Sequence, residues 1–410
     1  MQKKFNMPIP APVQFVIDRL ELAGFHAYCV GGCVRDSIMG ILPKDYDVTT
    51  SAKPREMQVV FSDCRVVETG LKHGTLTVVL EGMNIEVTTY RIDGTYDDGR
   101  HPDSVTFTDK LSDDLCRRDF TINAMAYSPE RGLVDIYGGC DDINRQTIRC
   151  VGRATERFSE DGLRILRALR FASVLDFDLD EECSDAVRSM KNLLDKISRE
   201  RIYVELTKLI LGKGAARIMG GYPEVIAYAL GISENCVTRG AEIVSADDGS
   251  AGTTIPEMRY AGIFESLTEA EGKQVFASLK PSREEARAVE RFLKYRGENC
   301  PRDEYSLVKL MGKTADSFPE ELIRFELVSG RITEAESDEF VGICRRIISE
   351  NRPRRVADLA VNGGDLLKIG LAGRAIGETL DGLLDAVIRG EVDNEKEKLI
   401  KRVMSRPAAL

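Results

Sequence analysis

The sequence predicts an α+β chain in which a small head with a mixed sheet precedes an elongated all-helical neck, body and tail. Three observations carry that expectation. Short β-rich runs crowd the first 150 residues, helical periodicity takes over after Gly152, and 410 residues are too many for a single compact core.

Residues 12–23 read as an amphipathic helix, with Val13, Val16, Ile17 and Leu20 on one face and Gly24 as the stop. Runs rich in β-formers follow at His26–Val30, Tyr46–Thr49, Arg65–Glu68, Thr75–Leu80 and Ile85–Tyr90, separated by Gly, Asn and Asp. Beyond Gly152 strand signals nearly vanish. Leu163, Leu166 and Leu169, then Ile202, Leu206, Leu209 and Ile210, recur at helical steps. The polar loop Ala246–Pro256 and the segment Glu350–Arg355 read as joints. The resulting division is head 1–150, neck 151–222, body 223–349 and tail 350–410, with no tandem repeat or low-complexity tract.

Composition is ordinary for a soluble protein, at 43% hydrophobic and 30% charged. The first residues lack the apolar core of a secretion signal and no stretch approaches membrane-spanning length, so a cytoplasmic location is expected, without membrane association. Ten cysteines occur singly with no C-x-x-C pair, and three histidines (His26, His73, His101) are too few for a zinc framework. Net charge is −10, yet basic residues cluster. Seven arginines between Arg145 and Leu175 face Glu156, Glu160 and Asp161. Eight Lys/Arg between Arg188 and Met219 face Asp195, Glu200 and Glu205. Arg345, Arg346, Arg352, Arg354 and Arg355 have only Glu350 among them. Each cluster is readable as a solvated helix face; together they leave room for a local RNA track.

The chemistry concentrates in two motifs. Gly31-Gly32-Cys33-Val34-Arg35-Asp36 follows an apolar strand and precedes a short helix expected at Ser37–Gly40. Paired glycines allow a phosphate close to the backbone, and Arg35 in the first turn would neutralise it. An ordinary strand-to-helix turn has the same pattern. It is neither the dinucleotide fingerprint nor a P-loop. Eight residues beyond Asp36 begins Lys44-Asp45-Tyr46-Asp47-Val48-Thr49. On a strand Asp45 and Asp47 would point to one side and share a pair of Mg²⁺ ions, which activate an attacking 3′-hydroxyl and stabilise leaving pyrophosphate. Glu86 becomes a third carboxylate if its strand lies alongside. Taken alone, Asp-x-Asp also suits a surface turn.

The two motifs together resemble the signature of the polymerase-β-like nucleotidyltransferases, in the class II branch shared by CCA-adding enzymes and bacterial poly(A) polymerases. Thr69–Thr75 (TGLKHGT), Arg117–Ala126 (RRDFTINAMA), Tyr137–Ile143 (YGGCDDI) and Glu160–Ala172 (EDGLRILRALRFA) continue the resemblance in the family's order, and Asp358–Leu367 with Asn394 looks like the tail of bacterial CCA-adding enzymes. The resemblance implies that Asp45 and Asp47 bind the metals, that Gly32 and Arg35 hold the triphosphate, and that Arg118 contacts the nucleotide. It further implies that Asp119 and Asn123 select the ribose, that Arg167 and Arg170 lie near the nucleotide, and that Tyr137–Ile143 is a hinge. The implied substrates are the transfer RNA 3′ end, ATP and CTP. For Asp119 and Asn123 a helix-capping role is the alternative, and for the arginine row a solvated ridge.

Base choice follows from donor and acceptor chemistry. Asp161 and Arg164, three apart on an expected helix, would share a face; one only accepts hydrogen bonds and the other only donates. Cytosine (N4 amino, N3) and adenine (N6 amino, N1) match that pair, whereas uracil and guanine present the reverse. An ordinary i, i+3 ion pair is the competing reading. Three histidines, all before residue 102, exclude a histidine–aspartate phosphohydrolase domain. A full-length Arg91–Asp109 segment favours complete CCA addition over CC addition, which in relatives goes with a shortened loop. The remaining alternatives are an A-adding specialist, a poly(A) polymerase and an inactive RNA-binding homologue.

Overall fold

The computed structural model describes residues 5–68, 70–94, 104–247 and 255–405. Position 69 of the TGLKHGT motif, residues 95–103 of the Arg91–Asp109 segment with His101, and residues 248–254 of the Ala246–Pro256 joint lie outside the described residues. The chain divides into two compact units: Met1–Ala241 with Val275–Pro281, and Glu242–Gln274 with Ser282–Leu410.

In the first unit, α1 (Ala11–Leu22) buries Val13, Val16, Ile17 and Leu20. Strands β1 (Ala27–Val30), β2 (Asp47–Thr50), β3 (Arg65–Val67), β4 (Thr75–Leu80) and β5 (Met83–Thr89) are interleaved with α2 (Gly32–Ile38) and α3 (Pro54–Val60). A small ribbon, β6 (Arg91–Asp93) with β7 (Val105–Phe107), precedes α4 (Leu111–Cys116); β8 (Met125–Ser128), β9 (Gly132–Asp135) and α5 (Gly139–Asn144) follow. Seven strands form one mixed sheet, ordered β3-β4-β5-β2-β1-β8-β9, in which only β2 and β5 run parallel. The β4–β5 hairpin turns on Glu81 (φ 50°) and Gly82 (φ 80°), the two positive φ values that match hairpin twist. Buried Tyr28, Val30, Tyr90, Leu115 and Ala126 form a core cluster in the head.

The helical part begins with α6 (Ala154–Glu160) and α7 (Leu163–Leu175), and continues through α8 (Glu181–Ser189) and α9 (Arg199–Ile210). One strand pair intervenes: β10 (Thr147–Ile148) lies parallel to β11 (Asp178–Leu179), tying the end of the head sequence to the loop after α7. Sequence texture missed this pair because two residues are too few for an alternating pattern. The helix expected at Ser37–Gly40 is a correction too. It starts at Gly32, so Gly32 to Arg35 of the motif are helical and Gly31, at φ +80°, is the N-cap.

The second unit is helical, from Pro256–Ile263 through Lys396–Ser405. One buried cluster runs from Leu307 to Leu399 and includes Phe340, Cys344, Leu366 and Leu383, crossing position 350. The arginines around that position are paired with carboxylates distant in sequence: Arg345 with Glu320, Arg346 and Arg352 with Glu304, and Arg354 with Asp316. Among the described residues no helix is long and apolar enough to cross a membrane.

Candidate active site

Asp47 opens β2 at the centre of the sheet. Its register partner on one side is Val30 of β1 and on the other Glu86 of β5, so a parallel strand pair sets two carboxylates side by side. Asp45 precedes the strand rather than lying on it, a correction to the expectation of a shared strand face. It still joins the group: Tyr46 between Asp45 and Asp47 is buried, its hydroxyl donating to the Pro8 carbonyl. Lost solvation around the Asp47 carboxyl, then the charge of Glu86, push it up to about 6; Arg118 opposes that rise and Asp45 adds to it. Whether the residues fit a divalent cation is answered by this crowding. Oxygen donors carrying excess negative charge suit a hard cation, which would relieve the repulsion. Among the described residues no three His, Cys, Asp or Glu side chains are grouped so as to hold a metal ion by themselves. One or two carboxylates completed by substrate phosphates is the usual arrangement for magnesium.

Beside this edge stands Gly31, with φ +80° and its N–H donating to the Met125 carbonyl at 3.2 Å. A Cβ at Gly31 would lie 3.2 Å from Arg118 Nη1, so the guanidinium occupies the space a side chain would take; at Gly32 the nearest atom is Arg35 Nη2, at 3.5 Å. Arg35 donates to Asn123 Oδ1 at 2.7 Å and to Asp36 Oδ1 at 2.7 Å. Asn123 in turn donates to Asp119 Oδ1 at 3.3 Å, and the Phe120 N–H donates to the same oxygen at 2.9 Å. The other oxygen, Oδ2, accepts two bonds from Arg167, at 2.8 and 2.5 Å. Burial alone would raise the Asp119 carboxyl, but Arg167 and then Arg164 outweigh it and hold it down at about 2. An unbroken chain of side chains thus links Arg35 to Arg167 through Asn123 and Asp119.

A cavity of ≈ 280 Å³ opens against that chain, lined by Arg117, Arg118, Asp119, Asp161, Leu163, Arg164, Arg167 and Arg201. Asp161 and Arg164 meet there, though not as sequence spacing suggested. Helix α6 ends at Glu160, Asp161 is extended (φ −141°, ψ 106°), and α7 restarts after Gly162. Gly162 packs closely, and a Cβ there would meet the Leu193 carbonyl at 2.9 Å. The two side chains do not pair. Asp161 Oδ1 accepts from the Leu163 N–H at 3.0 Å and Oδ2 from Arg201 at 2.7 Å. Arg164, almost fully buried, is held by Glu160 and by the Arg157 and Arg117 carbonyls at 3.0 and 3.2 Å. Arg170 pairs with Glu205 at 2.9 Å and stacks 3.9 Å from the Phe171 ring, beside the cavity rather than lining it.

Comparison with known proteins identifies the framework. The poly A polymerase head domain matches residues 27–149, the RNA and SrmB-binding site of polymerase A matches 176–220, and tRNA nucleotidyltransferase domain 2 matches 354–403. The CCA-adding enzyme of Limosilactobacillus fermentum is 34% identical over 396 residues, 95% of each chain. That of Geobacillus kaustophilus is 35% identical over 405 residues, 95% of this chain and 96% of the relative. The chain belongs to the CCA-adding enzymes. The solved CCA-adding enzyme of Bacillus stearothermophilus in complex with CTP superposes with a TM-score of 0.83 at 30% identity, covering 97% of this chain and 99% of that one.

Membership in the CCA-adding enzymes makes the chain a nucleotidyltransferase of a family that uses divalent metal. Within that frame three contributors escaped sequence reasoning. Arg201 clamps Asp161, Glu205 pairs with Arg170, and Asp114 lies beneath Arg117 and Arg118. Arg201 and Glu205 are four apart on α9 and so project from one face towards α7. That spacing is the one local signal available for them.

Proposed function

We propose that this chain builds and repairs the CCA end of transfer RNA, adding C, C and A from CTP and ATP without a template and with Mg²⁺ as its metal, in the cytoplasm where those substrates are found. The observation that carries this is the cavity in which a carboxylate acceptor, Asp161, and a guanidinium donor, Arg164, stand beside Arg118 and Asp119.

Bound Mg²⁺ supplies a Lewis acid for the attacking 3′-hydroxyl of the RNA and for the leaving pyrophosphate. Asp45 and Asp47 are its ligands, and Glu86 beside Asp47 keeps the local charge negative. Gly31 and Gly32 admit the triphosphate against the backbone, with Arg35 and Arg118 opposing its charge. Asp119 and Asn123 are assigned to the ribose. Each Asp161 oxygen retains a lone pair for the amino group of C or A. Three of the five Arg164 N–H groups are engaged by protein oxygens, which fixes the ring-nitrogen donor in place. Uracil and guanine would turn acceptors towards Asp161 and N–H groups towards Arg164, leaving buried groups unpaired at about 1–3 kcal/mol each. Arg167 and Arg170 complete the wall. The functional division is the head at 1–150, the neck at 151–222, and the body and tail to 410, with the tail contacting RNA.

The test is extension of three transfer RNA transcripts, ending before CCA, after C and after CC, with each nucleoside triphosphate and then with CTP plus ATP. Growth by three residues and a stop supports the proposal. A-only addition or an arrest at CC would make the chain a specialist, long A tails a poly(A) polymerase, and failure to extend any transcript would overturn it.

A further inference from the structure

Asp114 is fully buried on α4, yet it is a carboxylate with four polar contacts. Its Oδ1 accepts from Arg117 Nε at 3.0 Å and Nη2 at 2.7 Å. Its Oδ2 faces Arg118 Nη2 at 3.1 Å and the Thr49 hydroxyl at 3.2 Å. Thr49, also fully buried, lies two residues along β2 from Asp47 and therefore projects to the same side of the strand. A single carboxylate thus ties the strand that begins at Asp47 to both arginines entering the cavity. Burial works to raise the Asp114 carboxyl, but Arg118 and Arg117 outweigh it and hold it below the usual carboxylate range.

We propose that Asp114 is a positioning residue for nucleotide binding, fixing Arg118 between Gly31 and the cavity before substrate arrives. The inference rests on Arg118 contacting the incoming nucleotide. An arginine has many rotamers, and a ligand that must order it loses affinity; one already held by a buried carboxylate has met that cost during folding. A Cβ at Gly31 would lie 3.2 Å from Arg118 Nη1, so the pose set by Asp114 keeps the guanidinium against the Gly31 backbone. Arg117 is held by the same carboxylate and its carbonyl accepts from Arg164, so the geometry of Asp114 extends to the base-reading guanidinium. An apolar residue would fill the core under α4 equally well but would orient neither arginine.

The experiment is a double-mutant cycle on the full chain with two transfer RNA transcripts, one ending before CCA for CTP and one ending after CC for ATP. Asp114→Asn, Arg118→Ala and the combined variant are compared for kcat, for KM towards CTP and ATP, and for melting temperature. Asp114→Asn is expected to raise KM for both nucleotides roughly tenfold while kcat changes little. In the Arg118→Ala background it is expected to add almost nothing, because the group it orients is gone. An unchanged KM in Asp114→Asn, or effects that multiply in the combined variant, would overturn the inference. So would kcat and KM worsening only in step with a lowered melting temperature. If the Asn variant does not fold, Asp114→Glu keeps the charge but displaces it by one methylene, and must show the same KM rise; a wild-type KM there overturns the inference. Arg118→Ala with wild-type KM would instead remove the nucleotide-binding role of Arg118 itself, a different failure from an additive cycle.

Discussion

Arg201 reaches Asp161 across forty positions of sequence and donates to its Oδ2 at 2.7 Å, while the Leu163 N–H holds Oδ1 from the other side. Two anchors on one carboxylate leave it little rotational freedom, and the proposed discrimination of an amino group from a carbonyl depends on that fixity. Arg201→Ala is expected to cut the preference for CTP over UTP, measured as the ratio of kcat/KM values, by about tenfold or more, in line with 1–3 kcal/mol per mismatched polar contact. Arg201→Lys, with one donor in place of a fork, should fall between. A preference unchanged in both variants would show that the Leu163 N–H alone sets the carboxylate.

The pairing of Asp47 with Glu86 across β2 and β5 separates two roles within one acidic edge. Asp45→Asn and Asp47→Asn are each expected to bring single-turnover nucleotide addition to background. Glu86→Gln, which removes a neighbouring charge rather than a direct ligand, should cost about 10–100-fold. All three should still shift transfer RNA in a gel, since RNA grip depends on basic side chains elsewhere. Equal losses for Glu86→Gln and Asp47→Asn would make Glu86 a ligand in its own right.

Much of this edge is legible in the sequence because a strand has an inflexible period of two. Asp-x-Asp and a β-rich run around Glu86 were enough to foresee Asp47 and Glu86 on neighbouring strands, although Asp45 precedes its strand. The helical period of α7 was harder to use. Counting three residues from Asp161 to Arg164 assumed one helix, but Asp161 is extended at the end of α6; the two side chains line one cavity from either side of that break. Asp114, Arg201 and Glu205 were invisible for another reason. Arg201 and Glu205 take partners some forty positions away and Asp114 finds Thr49 sixty-five away, and an isolated charged residue on a helix looks the same in sequence whether it faces solvent or a buried arginine. Four of the five arginines between 345 and 355 taught the converse: nearly unopposed in local sequence, Arg345, Arg346, Arg352 and Arg354 meet Glu304, Asp316 and Glu320 in the fold.

Gly31 and Gly32 are adjacent and differ sharply in what they tolerate. Gly31 has φ +80° with Arg118 Nη1 at 3.2 Å from a would-be Cβ, whereas Gly32 is helical with an ordinary 3.5 Å neighbour. Gly31→Ala is expected to cost about 1–3 kcal/mol in backbone strain and to raise nucleotide KM by displacing Arg118. Gly32→Ala should leave the melting temperature nearly unchanged and reveal, through KM alone, how closely the triphosphate approaches the backbone. Thermal melting with kinetics of both variants decides; a stable Gly31→Ala variant with wild-type KM would refute the strain argument.

The Asp119–Arg167 pair makes a prediction about acid. Arg167 and Arg164 overcome the burial of Asp119 and hold its carboxyl at about 2, below the ordinary 3.8. A carboxyl depressed in the folded state contributes stability that is complete above its unfolded value and is lost as pH falls towards the folded one, so the window lies between about pH 4 and pH 2. The depression of about two units corresponds to roughly 2–3 kcal/mol. Asp119→Asn removes the ionisable group while nearly keeping its volume. The stability gap between wild type and variant, from denaturant unfolding followed from pH 8 down to pH 3, is expected to be constant at the upper end and to begin closing below pH 4. A gap that stays constant throughout would mean that the loss of stability in the variant comes from packing rather than from the ionised pair.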